Sequence, residues 1–73
     1  MTQSTDMYKT AFFMAHGAKL LGGARHGAKV TFQLEGIAPD LELRYLNGGT
    51  VNVQKFIMAL STLKSVIHAE TYR

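Results

Sequence analysis

The strongest periodicity lies towards the C-terminal end of the chain. Val53, Phe56, Ile57, Leu60, Leu63 and Ile67 recur at i, i+3, i+4, i+7, i+10 and i+14. That spacing gathers them into one stripe of an α-helix. Ala59 and Val66 widen the stripe on one side, and Gln54, Lys55, Met58, Ser61, Thr62 and Ser65 fall opposite. Asn52 stands where an N-cap belongs, because its side-chain oxygen can accept from the first free backbone N–H groups. An amphipathic helix is therefore predicted over Asn52–Ala69. Lys64 falls inside the apolar sector, between Val53 and Ile57. Its stem can lie on the rim of a core with the ammonium in water, or it can hold a cation ready for an anionic partner.

The period changes to two over Ala28–Glu35, where Val30, Phe32 and Leu34 alternate with Lys29, Thr31, Gln33 and Glu35. This predicts a strand with one buried and one wet face, entered through a turn at His26–Gly27. On that alternation Phe32 is a core residue. Gly36–Asp40, with Pro39, ends the strand. Over Leu41–Leu46, Leu41, Leu43 and Tyr45 alternate with Glu42 and Arg44, and Asn47–Gly48 is a hairpin turn signal followed by Val51 and Val53. Periodicity favours a hairpin here. Pro39 and Gly48 would equally suit the start and end of a short helix. Near the N-terminus, Thr5 and Thr10 are possible N-caps. Met14, Ala18 and Leu21 fit one face of a helix over Ala11–Leu21, with Gly22 and Gly23 as its stop. The alternative ends that helix at Gly17 and makes Lys19–Arg25 a strand.

These elements predict a single small α+β domain over residues 1–73. Its sheet is antiparallel, with two or three strands, covered by the long C-terminal amphipathic helix and a shorter N-terminal one. A core of this size rarely supplies more than ~3–5 kcal/mol, and the chain has no cysteine for a disulfide or a thiolate zinc site. With 47% apolar residues, a protein partner or a homo-oligomer is expected. Met1–Asp6 lacks the basic start of a signal peptide, and the longest apolar run, Ala11–Ala15, is too short to cross a bilayer. The chain reads as a protein of a bacterial host cytoplasm.

The formal net charge is +3, but its placement says more. No acid occurs from Met7 to Leu34, a window that holds Lys9, Lys19, Arg25 and Lys29 with His16 and His26. From Glu35 onward the charges cancel. The excess in the N-terminal half points to an anionic partner. Lys19, Arg25 and Lys29, with Lys9, are the candidate nucleic-acid contacts. Tyr8, Tyr45, Phe12 and Phe13 lie near them in sequence, and aromatics among cations can stack bases. Phe12 and Phe13 cannot share one helix face. One ring is thus expected on the surface, where with Met58 it would form a protein-interaction patch.

Catalytic signals are weak. Ser61, Ser65 and His68 come together on the polar side of the C-terminal helix, but no acid on that face orients His68 as a triad requires. The tetrapeptide His-Gly-Ala-Lys occurs at His16–Lys19 and at His26–Lys29. A glycine beside a cation can form an anion nest, yet the two copies fall in different local structures. Gly22–Lys29 is a near miss to a phosphate loop: Ala28 intrudes before Lys29, and a strand follows where a helix N-terminus is needed. His16, His26 and His68 show no ligand-like spacing with one another or with acids. No catalytic residue, cofactor or metal is assigned.

The run Val30-Thr31-Phe32, then Tyr45-Leu46-Asn47-Gly48, then Val53, Phe56, Ala59-Leu60, Leu63-Lys64 and Ile67 resembles a small domain family of unknown function from bacteria and phages. Lys9-Thr10 before an Ala-rich apolar helix is similar to that pattern too. The resemblance implies a compact α+β unit with its last helix against a small sheet and a helical segment before Tyr45–Gly48. It brings no activity to carry over. It implies an accessory protein of phage or mobile-element type that binds macromolecules. The expected function is thus a non-enzymatic binding module acting through protein contacts, the alternative being a nucleic-acid binder.

Overall fold

A computed structural model describes the backbone of residues 2–71 and the side chains of residues 2–69. Its elements are β1 (Thr2–Ser4), α1 (Met7–Ala15), β2 (Lys19–His26), β3 (Lys29–Glu35), α2 (Leu41–Leu46) and α3 (Val53–Thr71). The three strands form one antiparallel sheet in the order β1-β3-β2. The architecture is α+β, with a long C-terminal helix and a shorter N-terminal one, as the periodicity predicts.

β3 is central because its alternation is the cleanest. Phe32 and Leu34 are buried on one face, while Lys29 and Glu35 stand exposed on the other. β2 contains Gly22 and Gly23 and is a poor strand by propensity. It is brought onto β3 by a two-residue turn in which His26 pairs with Lys29 and Gly27 has φ +63°. Glycine at the first central position suits a type II′ hairpin. A bulge between Leu20 and Gly22 keeps Leu20 on the helix side and leaves Leu21 exposed. Gly23 also faces the helices, and α3 comes so close that a Cβ there would lie 2.8 Å from Val66 Cγ1.

α1 starts earlier and stops sooner than its sequence pattern suggests. Asp6, not Thr5 or Thr10, is the N-cap: its Oδ1 accepts from the N–H groups of Tyr8 (3.0 Å) and Lys9 (3.1 Å). Thr10 lies inside the helix, where its buried hydroxyl donates to the Asp6 carbonyl at 2.7 Å. The stop is Gly17, at φ +102°. Ala18 N–H donates to Phe13 O and Gly17 N–H to Met14 O, both at 3.0 Å, the paired bonds of a Schellman end. Gly22 and Gly23 are strand residues, so the alternative with a strand after Gly17 is the one the chain adopts.

Of the two readings open for Leu41–Leu46, hairpin strand and short helix, the chain adopts the helix. Gly49 N–H donates to Arg44 O at 2.7 Å and Gly48 N–H to Tyr45 O at 3.3 Å, with Gly48 at φ +73°. Asn47–Gly48 thus closes α2 rather than turning a hairpin. Glu42 in the first turn and Arg44 in the last both favour the helix dipole. Leu41 and Tyr45, four apart, face inward together, while Leu43 and Leu46 are exposed.

α3 begins where predicted, with Asn52 Oδ1 accepting from Lys55 N–H at 3.0 Å. Its buried arc differs from the predicted stripe. Phe56, Ala59, Leu60, Leu63, Val66 and Ile67 pack inward, whereas Val53 and Ile57 are 67% and 57% exposed. Both exposed residues lie on one edge of the predicted stripe, so at a helical repeat of about 100° per residue the buried arc is centred about 25° away from it.

Two buried groups join under the helices. Phe12, Phe13, Ala18, Leu34 and Leu41 form one; Ala11, Phe32, Ala59 and Leu63 form the other; Met14, Leu20 and Phe56 pack against both. Urea denaturation tests the two end devices. Asp6→Ala is expected to lose about 1 kcal/mol, while Thr5→Ala stays within about 0.5 kcal/mol of the parent. At Gly49 a Cβ would meet the Arg44 carbonyl oxygen at 2.7 Å and the Phe12 ring at 3.2 Å. Gly49→Ala should therefore cost about 1–3 kcal/mol, and Gly22→Ala, which meets nothing within 4 Å, should cost almost nothing.

Candidate binding surface

The structure sorts the sequence-derived candidates into buried, separated and exposed groups. Phe12 and Phe13 are 3% and 2% exposed, which corrects the expectation that one ring reaches the surface. Adjacent rings on a helix cannot share a face, but α1 is covered on more than one side. Phe12 turns towards α2 and packs on Tyr45, ring centroids 5.3 Å apart, and on His16 at 4.5 Å. Phe13 meets Phe12 edge-on at 6.3 Å and lies under the Lys9 ammonium, 5.8 Å from the ring centre. Met58, the third member of the expected patch, is 70% exposed.

The basic candidates do not converge. By strand alternation, Lys29 shares the open face of the sheet with its cross-strand partner His26, and Lys19 shares it with Glu35. Lys19 and Lys29 stand at opposite ends of the hairpin, about 20 Å apart at the rise of a strand. Arg25 pairs across from Val30, on the helix side of the sheet. Its Nε donates back to the Gly27 carbonyl at 2.8 Å. Lys9 is engaged by Glu42 in an ion pair that ties α1 to α2. Phe32 is 1% exposed, so it offers no stacking platform on the open face.

The two His-Gly-Ala-Lys copies have different duties. Gly17 ends α1, and His16 Nε2 lies 2.9 Å from the Thr50 carbonyl, holding the segment before α3 against the end of α1. Gly27 makes the hairpin turn. Among the described residues no three His, Asp or Glu side chains cluster as metal ligands would.

What the fold does bring together is a set of residues along α3. Ile57, Leu60, Ser61, Lys64, Ser65, His68 and Ala69, all on α3, border an open surface groove of about 630 Å³ between their side-chain rows. Its apolar part, Ile57 with half-buried Leu60, is the portion of the predicted stripe that the core leaves over. Lys64 is exposed beside it, because the whole sector from Val53 to Ile57 in which it lies is turned away from the core. The Ser65 hydroxyl donates to the Ser61 carbonyl at 3.1 Å, a bond within the helix that leaves its proton engaged. On the other flank of α3, a second groove of about 260 Å³ runs past Met14, Ala15, Ala18, Lys55, Met58, Ala59 and Thr62. Its base of alanines and its two methionines make it shallow, apolar and adaptable. Residue spacing alone could have found these surfaces only with the orientation of α3 already in hand, because the same apolar positions serve core and surface.

Among the described residues no helix is long and apolar enough to cross a membrane. No family model, no curated protein and no solved structure matches this chain, so its role has to be read from its own surfaces.

Proposed function

We propose that this chain is a non-enzymatic accessory binding module, of the phage or mobile-element type its sequence resembles, acting through protein–protein contacts along α3. The observation that carries this reading is the exposure of Val53, Ile57 and Met58, each more than half accessible on one helix. A helix that needs only its buried arc gains nothing in solution from a β-branched or thioether side chain on the wet side, whereas such side chains form the anchors of docking surfaces. A small core adds to the case, since association supplements the limited stability of a chain this size.

The engagement of the Ser65 hydroxyl within its own helix and the exposure of Lys64 support binding over chemistry. Nucleic acid is the weaker partner. Arg25 faces away from Lys29, Lys9 is paired with Glu42, and phosphate binding at the open face would rest on Lys29, His26 and the distant Lys19.

Sedimentation and affinity capture with the parent chain, Ile57→Glu and Met58→Glu test the proposal. Both substituted side chains are exposed, so circular dichroism should show an unchanged fold. The parent is expected to self-associate or retain a specific protein, and the variants to lose that by at least tenfold. If both variants keep the parent's size and partners, the α3 surface is not the site. Salt-dependent binding of labelled DNA or RNA that Lys29→Ala weakens would instead support the nucleic-acid reading.

A further inference from the structure

The groove on the Ile57 flank of α3 has a chemistry that narrows its occupant. Along α3 the sequence carries Lys55, Lys64 and His68 before its one acid, Glu70. Lys64 stands exposed next to Ile57 and Leu60 on the same face of α3. An apolar contact made there places whatever flanks it against an ammonium. A basic or neutral flank leaves that charge partly desolvated and unpaired, which is costly, while a carboxylate forms a charge-assisted hydrogen bond.

The spacing selects a helix as the shape of the occupant. Ile57, Leu60 or Ser61, and Lys64 are one turn apart, and the groove runs from Ile57 to Ala69, about 18 Å at the helical rise. Side chains at i, i+3, i+4 and i+7 of a second helix match such a row, as ridges fit grooves. A strand would bring backbone groups that α3, with its own hydrogen bonds closed, cannot pair.

A second copy of this chain fits less well. If α3 lay antiparallel on itself about Ser61, Lys64 would meet Met58, and so would find no acid. The two copies would also add their positive charges, +3 each.

We propose that this groove receives an amphipathic helix of another protein, whose apolar stripe covers Ile57 and Leu60 and whose glutamate or aspartate pairs with Lys64. The inference rests on the protein-docking reading above and specifies the partner's chemistry.

Two fluorescein-labelled peptides of about 18 residues test it. Both carry the same leucine stripe on an alanine-rich helix, one with glutamates and the other with lysines flanking the stripe. Anisotropy is measured with the full chain, with Lys64→Glu and with Ile57→Glu, at low and high salt. The acidic peptide is expected to bind at least tenfold more tightly than the basic one, less so at high salt. Lys64→Glu should invert that preference, and Ile57→Glu should weaken the acidic peptide at least tenfold. Equal binding of both peptides, unchanged by Lys64→Glu but lost with Ile57→Glu, would overturn the acidic-helix inference and leave the docking reading standing. Concentration-dependent dimerisation abolished by Ile57→Glu, with no peptide bound, would make the occupant a second copy and overturn the inference in another way. Neither peptide binding and no self-association in the parent would overturn both.

Discussion

Four consecutive residues of α1, Thr10 to Phe13, are almost fully buried. Four residues go slightly more than once around a helix, so α1 has no wet side along that turn and must be enclosed. Most of the remaining structure supplies the enclosure. The inner face of β3 contributes Phe32 and Leu34, and α3 contributes Ala59 and Leu63 beside Ala11. α2 covers Phe12 with Tyr45 and closes on Leu41. Among the described residues the one buried polar side chain, Thr10, obeys the constraint too, because it finds its acceptor in the preceding turn at Asp6.

That constraint accounts for the two glycine-ended helices. α1 must stop after Ala15 for the chain to return as β2 beneath it, and Gly17 provides the left-handed residue that makes the reversal tight. α2 must stop after Leu46 for the chain to pass under Phe12 into α3. Gly48 makes that reversal, and Gly49 has no side chain where the Phe12 ring and the Arg44 carbonyl approach it. The Lys9–Glu42 pair and the His16–Thr50 contact fasten the same junctions from outside. As exposed polar contacts they add little stability individually. Their value lies in fixing which way the loops run.

The parts of this fold that depend on one element's own pattern were legible in the sequence. The β3 alternation, the turn at Gly27, the Asn52 cap and the existence of α3 all follow from local spacing. What was not legible depends on neighbours. Asn-Gly requires a positive φ in a hairpin turn and in a helix end alike, so Asn47–Gly48 could not choose between them. The choice came from Leu41 and Tyr45 reaching Phe12 and Leu34 as an i, i+4 pair. β1, with the sequence Thr-Gln-Ser, carries no periodic signal and is held through its pairing with β3. The exposed-ring expectation at Phe12–Phe13 failed for the same cause, since it counted one face of α1 where the fold covers several.

The candidate site was half legible, and the missing half is a single angle. The apolar stripe of α3 is broader than a helix packed against α1 and a small sheet can bury. Which edge of it becomes surface depends on how the helix is rotated when it docks. Gly23 and Val66 set that rotation: with no side chain at Gly23, Val66 can settle against β2, which turns Ala59 and Val66 inward and Val53 and Ile57 outward. The glycine that allows this close helix–sheet packing lies on the side of α3 away from the exposed apolar flank, in which Lys64 sits between Val53 and Ile57. The surface proposed for binding is in this sense a consequence of one close contact on the opposite side of the helix.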